Sequence, residues 1–324
     1  MSYIKIDNLV KKFEDKTVIN GVSLEFEKGE FISFLGPSGC GKTTMLRMIA
    51  GFTEPTSGSI EINGNVLYSS QDRIMVQPGK RNLGMVFQSY AVWPHMNLFD
   101  NVAYPLKIQK VDKEEIRRRT LEMLEIVGLA GREKEYPWAF SGGQQQRIAL
   151  ARALVMQPSV LLLDEPLSNL DAHLRDKMKN EIRAIQKRMN ITVIYVTHDQ
   201  SEALQMSDKV VILNKGNIEQ IASPTEIYHN PKSTFVAEFV GKNNVITIDG
   251  KTMAVRPENI SLTKEKSQQT YSIEGTLKQS AFQGTHIFCH FETEYGQVMV
   301  QAPADCELTE NQSMWLSWEK CNFF

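Results

Sequence analysis

The run GPSGCGKTT, from Gly36 to Thr44, constrains this chain more than any other stretch. It follows the short apolar run FISFL and leads into TTMLRMIA, which has helical character. The spacing fits G-x-x-x-x-G-K-[ST], with Gly36, Gly41, Lys42 and Thr43 at the fixed positions. Glycines let such a loop curl until its backbone N–H groups point inward, and the helix start adds a partial positive charge. A cradle of this kind takes phosphate. Lys42 is expected to reach the β- and γ-phosphates and the Thr43 hydroxyl to ligate Mg²⁺, with Pro37, Ser38, Gly39, Cys40 and Thr44 completing the wall around the phosphates.

A second piece lies at SVLLLDE. An apolar strand ending in Asp164 puts a carboxylate at a sheet edge, where it can hold Mg²⁺ through water, and Glu165 is placed to polarise an attacking water. These two pieces indicate a P-loop NTPase, which leaves kinase, helicase and GTPase open. FSGGQQQR, from Phe140 to Arg147, is a hydroxyl and two glycines ahead of a helix, hence another backbone-donor cradle. A chain that already has one phosphate loop needs a second phosphate end to occupy this one.

At this point residues 1–240 resemble the ATP-binding-cassette (ABC) family. Ser141, Gly142, Gly143 and Gln144 match its signature, with Phe140 replacing the commoner leucine ahead of them, a large apolar swap that should leave the cradle intact. Gln88, closing the strand GMVFQ, matches the glutamine that links Mg²⁺ and water to a membrane partner. SNLD, ending in Asp171, matches the loop that crosses the dimer seam, and His198 in VTHD matches the switch histidine that reaches the γ-phosphate. Phe13 sits where the family stacks an aromatic ring on adenine, and Val18 could share that contact. The resemblance implies a head-to-tail homodimer, or a paired ABC subunit, in which the signature of one copy covers nucleotide held by the other.

Texture divides the chain. Up to about Val240, strand-like and helical runs alternate, which argues for an α/β domain, with a helical subdomain at residues 89–156. SGSIEINGNVLY reads as a hairpin turning on Asn63-Gly64. Asp112 and Glu115 have capping-box spacing ahead of a helix that Gly128 is placed to end. Leu174, Met178, Ile182, Ile185 and Met189 recur at helical spacing and form a core-facing stripe. TEIYHNPKSTFVAEFVGKN is a partly helical linker. Residues 241–324 break into short β-branched and aromatic runs between polar turns, the pattern of a small all-β barrel or sandwich, with an OB-like barrel as the expected fold.

Bulk properties narrow the setting. A net charge of −2 gives no basic surplus for nucleic acid, and no apolar run approaches the roughly 20 residues of a membrane span. The N-terminus lacks a signal-peptide pattern, and Cys40, Cys289, Cys306 and Cys321 show no paired framework, so reduced thiols are expected. A transporter role then requires borrowed membrane spans. The resemblance implies two integral-membrane permease subunits docking near SYAVWPHMNLFDNVAYPL, an extracytoplasmic substrate-binding protein, and a peripheral place on the cytoplasmic membrane face.

The C-terminal domain resembles the accessory domain of importer ATPases for sugars, polyamines, sulfate, phosphonates and iron(III), through Arg256, Pro257 and Glu258 in VRPENI and the strand WLSW. Family analogy leans toward iron(III), polyamine or phosphonate as cargo. The competing readings are a soluble ABC ATPase acting on DNA or ribosomes, and an exporter cassette. Paired cassettes or a long insertion would mark the first, and this chain has neither; the second commonly lacks the β domain.

Overall fold

The computed structural model describes residues 2–324 and divides into two compact units, the first ending at Pro224 and the second running from Thr225 to Phe324. The first contains a six-stranded sheet in the order Asn217–Ala222, Lys209–Asn214, Phe31–Leu35, Thr192–Thr197, Val160–Asp164 and Leu83–Val86. All neighbours pair in parallel except the outermost, Asn217–Ala222. Every residue of Phe31–Leu35, Val160–Asp164 and Thr192–Thr197 is buried, as parallel strands covered on both faces require.

Parallel pairing fixes where the strands let go. Leu35 pairs with Thr197, Asp164 with Val196, and Val86 with Leu163. The segments beginning at Gly36, Glu165, His198 and Phe87 therefore leave the same carboxyl edge of the sheet, where open α/β sheets place their ligands.

An antiparallel five-stranded sheet joins Lys16–Phe26, Ile4–Phe13, Ser57–Ile62, Asn65–Ser69 and Ile74–Met75. Its Asn63-Gly64 turn holds both residues at positive φ (52° and 75°), as a two-residue hairpin demands. Helices Leu98–Ile108, Lys113–Ile126 and Gly142–Leu154 pack into one apolar core with Phe31, Leu163 and Tyr195. The helix Ala172–Met189 buries Met178, Ile182 and Ile185, with Leu174 and Met189 packed alongside, so the predicted stripe does face the core.

One local expectation is corrected. Asp112 caps its helix by accepting from the Glu114 N–H, but Glu115 does not reach back, because the Arg118 guanidinium holds its carboxylate at 2.7 and 2.8 Å. Gly128, at φ 68°, does follow the helix end.

In the second unit, strands Asn244–Ile248, Lys251–Val255 and Asn322–Phe323 form one antiparallel sheet. Ser261–Thr263, Ser313–Trp318, Tyr271–Phe282, His286–Thr293 and Gly296–Pro303 form another. Their shared core holds Leu277, Phe291, Val300, Leu316 and Trp318. Arg256, buried, donates to the carbonyls of Tyr228, Ala237, Val240 and Lys242. It thereby fastens the helices Pro224–His229 and Thr234–Phe239 to the β structure.

Candidate nucleotide site

The loop after Leu35 is shaped by two close approaches. A Cβ on Gly36 would lie 2.2 Å from the Leu213 carbonyl oxygen and 2.7 Å from Cys40 Sγ, so only glycine fits there. Gly41 holds φ 109°, and a Cβ there would meet Ile19 Cδ1 at 2.5 Å. The helix Lys42–Ala50 then starts with no side-chain cap, and its first internal bond is Met45 N–H to Gly41 C=O. Its leading amides are thus left for an external acceptor.

Lys42 is buried, its ammonium donating to the carbonyls of Gly36 at 2.7 Å and Pro37 at 3.0 Å, which holds a positive charge inside the curl. Burial pushes the Cys40 thiol up, against the opposing pull of Lys42. A cleft of about 210 Å³ is lined by Val18, Ser38, Gly39, Gly41, Lys42, Thr43, Thr44 and Glu165. Val18 and Glu165 come to it from far apart in the chain.

At the foot of this cleft the Thr43 hydroxyl donates to Asp164 Oδ1 at 3.1 Å. Burial raises the Asp164 carboxyl above its ordinary range, partly offset by the Thr43 hydrogen bond and by Arg47. A hydroxyl and a carboxylate converging on one point are the hard oxygen donors that Mg²⁺ takes when phosphates and water complete its shell. Among the described residues no cluster of three or more His, Cys, Asp or Glu forms a separate metal cage.

Glu165 occupies the left-handed region at φ 45°, which costs a non-glycine residue about 1–3 kcal/mol. Three bonds hold it there: its N–H to Val196 C=O at 3.0 Å, and the Ser168 hydroxyl and N–H to its own carbonyl at 2.9 and 3.3 Å. His198 Nδ1 lies 3.2 Å from Glu165 Oε2.

Other predicted residues lie outside this cleft. The strand expected to close on Gln88 ends at Val86; Gln88 is exposed, and its carbonyl accepts from Asn169 Nδ2 at 2.8 Å. Phe13 is exposed at the end of Ile4–Phe13, with Lys11 Nζ 4.6 Å from its ring centroid. Asp171 caps the helix Ala172–Met189 through the Leu174 N–H. Ser141, Gly142, Gly143 and Gln144 open the helix Gly142–Leu154, and Gln144 Oε1 accepts from the Ser141 N–H at 3.0 Å. None of the four lines the phosphate cleft. Phe140 is buried with the Arg132 guanidinium 4.1 Å from its ring centroid, so the larger side chain is absorbed behind the cradle.

Sequence reasoning missed Arg175 and Glu202. Asp199 and Glu202 have the spacing of a cap pair, and that pattern conceals the inward-facing role of Glu202. Its carboxylate instead accepts from the Tyr195 and Thr197 hydroxyls at 2.7 and 2.6 Å.

Residues 19–168 match a family model described as ABC transporter, and residues 253–324 match the TOBE domain. The chain is 44% identical to the spermidine/putrescine import ATP-binding protein PotA of Thermobifida fusca (strain YX), over 93% of this chain and 86% of the relative. It is 47% identical to the Fe(3+) ions import ATP-binding protein FbpC of Vibrio cholerae serotype O1, over 84% and 78%. With FbpC 1 of Rhizobium meliloti (strain 1021) it shares 43% identity, over 92% and 90%.

The chain belongs to the ABC importer ATPases. An ABC importer ATPase binds ATP with Mg²⁺ and hydrolyses ATP to drive transport, working with membrane permeases and substrate-binding proteins. Among the described residues no helix is long and apolar enough to cross a membrane.

Proposed function

We propose that two copies of this chain pair head to tail, the Ser141–Gln144 cradle of one meeting the γ-phosphate of ATP held by Gly36–Thr44 of the other. The observation that carries this reading is geometric: within one chain the cradle does not line the cleft that contains Lys42, Thr43 and Glu165. Each phosphate end then has its own set of donors, and nucleotide binding free energy is what closes the pair.

In this reading Lys42 holds the β- and γ-phosphates, Glu165 accepts a proton from the attacking water, and His198 orients Glu165 and reaches the γ-phosphate. Thr43, Asp164 and Gln88 would hold Mg²⁺. Bound there, the ion neutralises phosphate charge. Phe13 and Val18 flank the adenine, and Asp171 sits at the seam. Residues 1–240 act as the motor, with its helical part at 89–156 facing the permease, and residues 241–324 as the accessory domain.

We assign the complex two permease subunits and a place for the ATPase on the cytoplasmic membrane face. The cargo is a cation, a polyamine or iron(III), because the relatives carrying both units across most of their length are named for spermidine/putrescine and Fe(3+). The test is sedimentation of the Glu165→Gln chain with and without ATP and Mg²⁺. An ATP-dependent dimer that Ser141→Arg abolishes supports pairing through the cradle; a monomer under both conditions overturns it. Stimulation of the reconstituted transporter's ATPase by a binding protein loaded with spermidine, but not with iron(III), would fix the cargo class.

A further inference from the structure

Arg175 sits in the first turn of the helix Ala172–Met189 and faces acceptors on two different loops. Its Nη2 donates to the Leu170 carbonyl at 3.0 Å, Nη1 lies 3.5 Å from Asp199 Oδ2, and Nε lies 3.9 Å from Glu202 Oε1. Leu170 belongs to the Ser168–Asp171 loop, and Asp199 directly follows His198. The Nε is buried without a partner at hydrogen-bond distance.

The acceptors are themselves fixed. Glu202 is buried and takes both the Tyr195 and the Thr197 hydroxyl. Asp199 donates its N–H to Thr197 Oγ1 at 2.9 Å and accepts from the Ser201 and Glu202 amides. His198 therefore hangs from a backbone pinned on both sides. On the other loop, Ser168 grips the Glu165 carbonyl and Asn169 grips the Gln88 carbonyl. Arg175 joins the two groups at Leu170 and Asp199, beside the Glu165–His198 contact.

We infer that Arg175 is a positioning residue for hydrolysis, whose forked guanidinium couples the Ser168–Asp171 loop to the Glu165–His198 pair. The coupling rests on the reading above, in which that pair acts on ATP. Contacts at 3.5 and 3.9 Å fall short of full charge-assisted hydrogen bonds. A loop shift of about 1 Å would complete them, so pressure on Leu170 from a second copy is passed to His198. Lysine cannot replace the fork, because a single ammonium does not span acceptors on two loops.

The test compares the full chain with Arg175→Lys, Arg175→Gln, Asp199→Asn and the Arg175→Gln/Asp199→Asn double variant. Glu165→Gln serves as the reference. Turnover, KM, affinity for a fluorescent ATP analogue and the melting midpoint are measured for each. The expected result is a fall in kcat of about tenfold or more in both arginine variants, with KM and affinity within about threefold. The double variant should lose no more than the worse single one, as for residues acting as a unit. Arg175→Lys keeps the positive charge at this half-buried position, so it decides the matter even where Arg175→Gln fails to fold. Wild-type turnover in Arg175→Lys overturns the inference, as does a loss of kcat that tracks lost affinity. If Glu165→Gln is slow while the arginine variants are normal, the coupling alone falls. If Glu165→Gln is also normal, the site reading falls and takes the coupling with it.

Discussion

Glu165 Oε2 and His198 Nδ1 lie 3.2 Å apart although they leave different strands of the sheet. The pairing of Asp164 with Val196 sets that distance, and the left-handed turn at Glu165 aims the carboxylate back toward the histidine. Replacing Glu165 by Gln keeps a hydrogen-bonding group of the same shape and removes the proton acceptor. Turnover should fall about a hundredfold or more, while ATP binding persists. Single-turnover hydrolysis of radiolabelled ATP measures this, and near-normal rates would remove Glu165 from the role.

Lys42 presents a buried ammonium to the interior of the phosphate loop. Each charge-assisted hydrogen bond it gives phosphate is worth about 1.5–3 kcal/mol. Lys42→Ala should weaken ATP affinity by about tenfold to a hundredfold, seen by calorimetric titration. Unchanged affinity would contradict the placement.

Gly36 and Gly39 separate packing from backbone strain. A Cβ on Gly36 collides with the Leu213 carbonyl, which is backbone and cannot rotate away, whereas Gly39 faces open space at φ 78°. Gly36→Ala should cost the upper end of about 1–3 kcal/mol, and Gly39→Ala about 1–2 kcal/mol from φ alone. Urea midpoints of the two variants test the order. Equal losses would mean that the Leu213 contact yields.

Tyr228 offers a pH test in the second unit. Burial, with the hydroxyl's 2.7 Å hydrogen bond to Glu258, pushes its pKa up to about 12. Because the folded pKa lies above the unfolded value, the bond's contribution is complete below pH about 10 and is lost as pH rises through 12. The stability gap between wild type and Tyr228→Phe should stay constant below pH about 10 and narrow above it, read from denaturant midpoints. A gap that widens with pH would reverse the assignment.

The glycine loop after Phe31–Leu35, the strand ending at Asp164, the helix opening at Gly142 and the strand-rich texture after Gly241 were legible because each is a local pattern. Backbone curvature, strand burial and helix starts depend on neighbours a few residues away. The local rules failed where a competing partner was present. Arg118 captures Glu115 and breaks the predicted reciprocal cap. Ser141 and Gln144, met as a phosphate cradle, also form a backbone-to-side-chain link of the kind expected at Asp112.

The sequence by itself determined which donors the site holds: a lysine in a glycine loop, a hydroxyl, a carboxylate and a glutamate at a strand end, the groups to which the proposed function assigns phosphate, Mg²⁺ and water. Only the tertiary structure decided which of these groups meet. Parallel strand register carries Glu165 to His198 and Asp164 to Thr43, and it leaves Ser141–Gln144 outside the cleft of its own chain. The physical reason is that a motif encodes what a group can bind, whereas the distance between groups far apart in sequence is set by the sheet that packs between them.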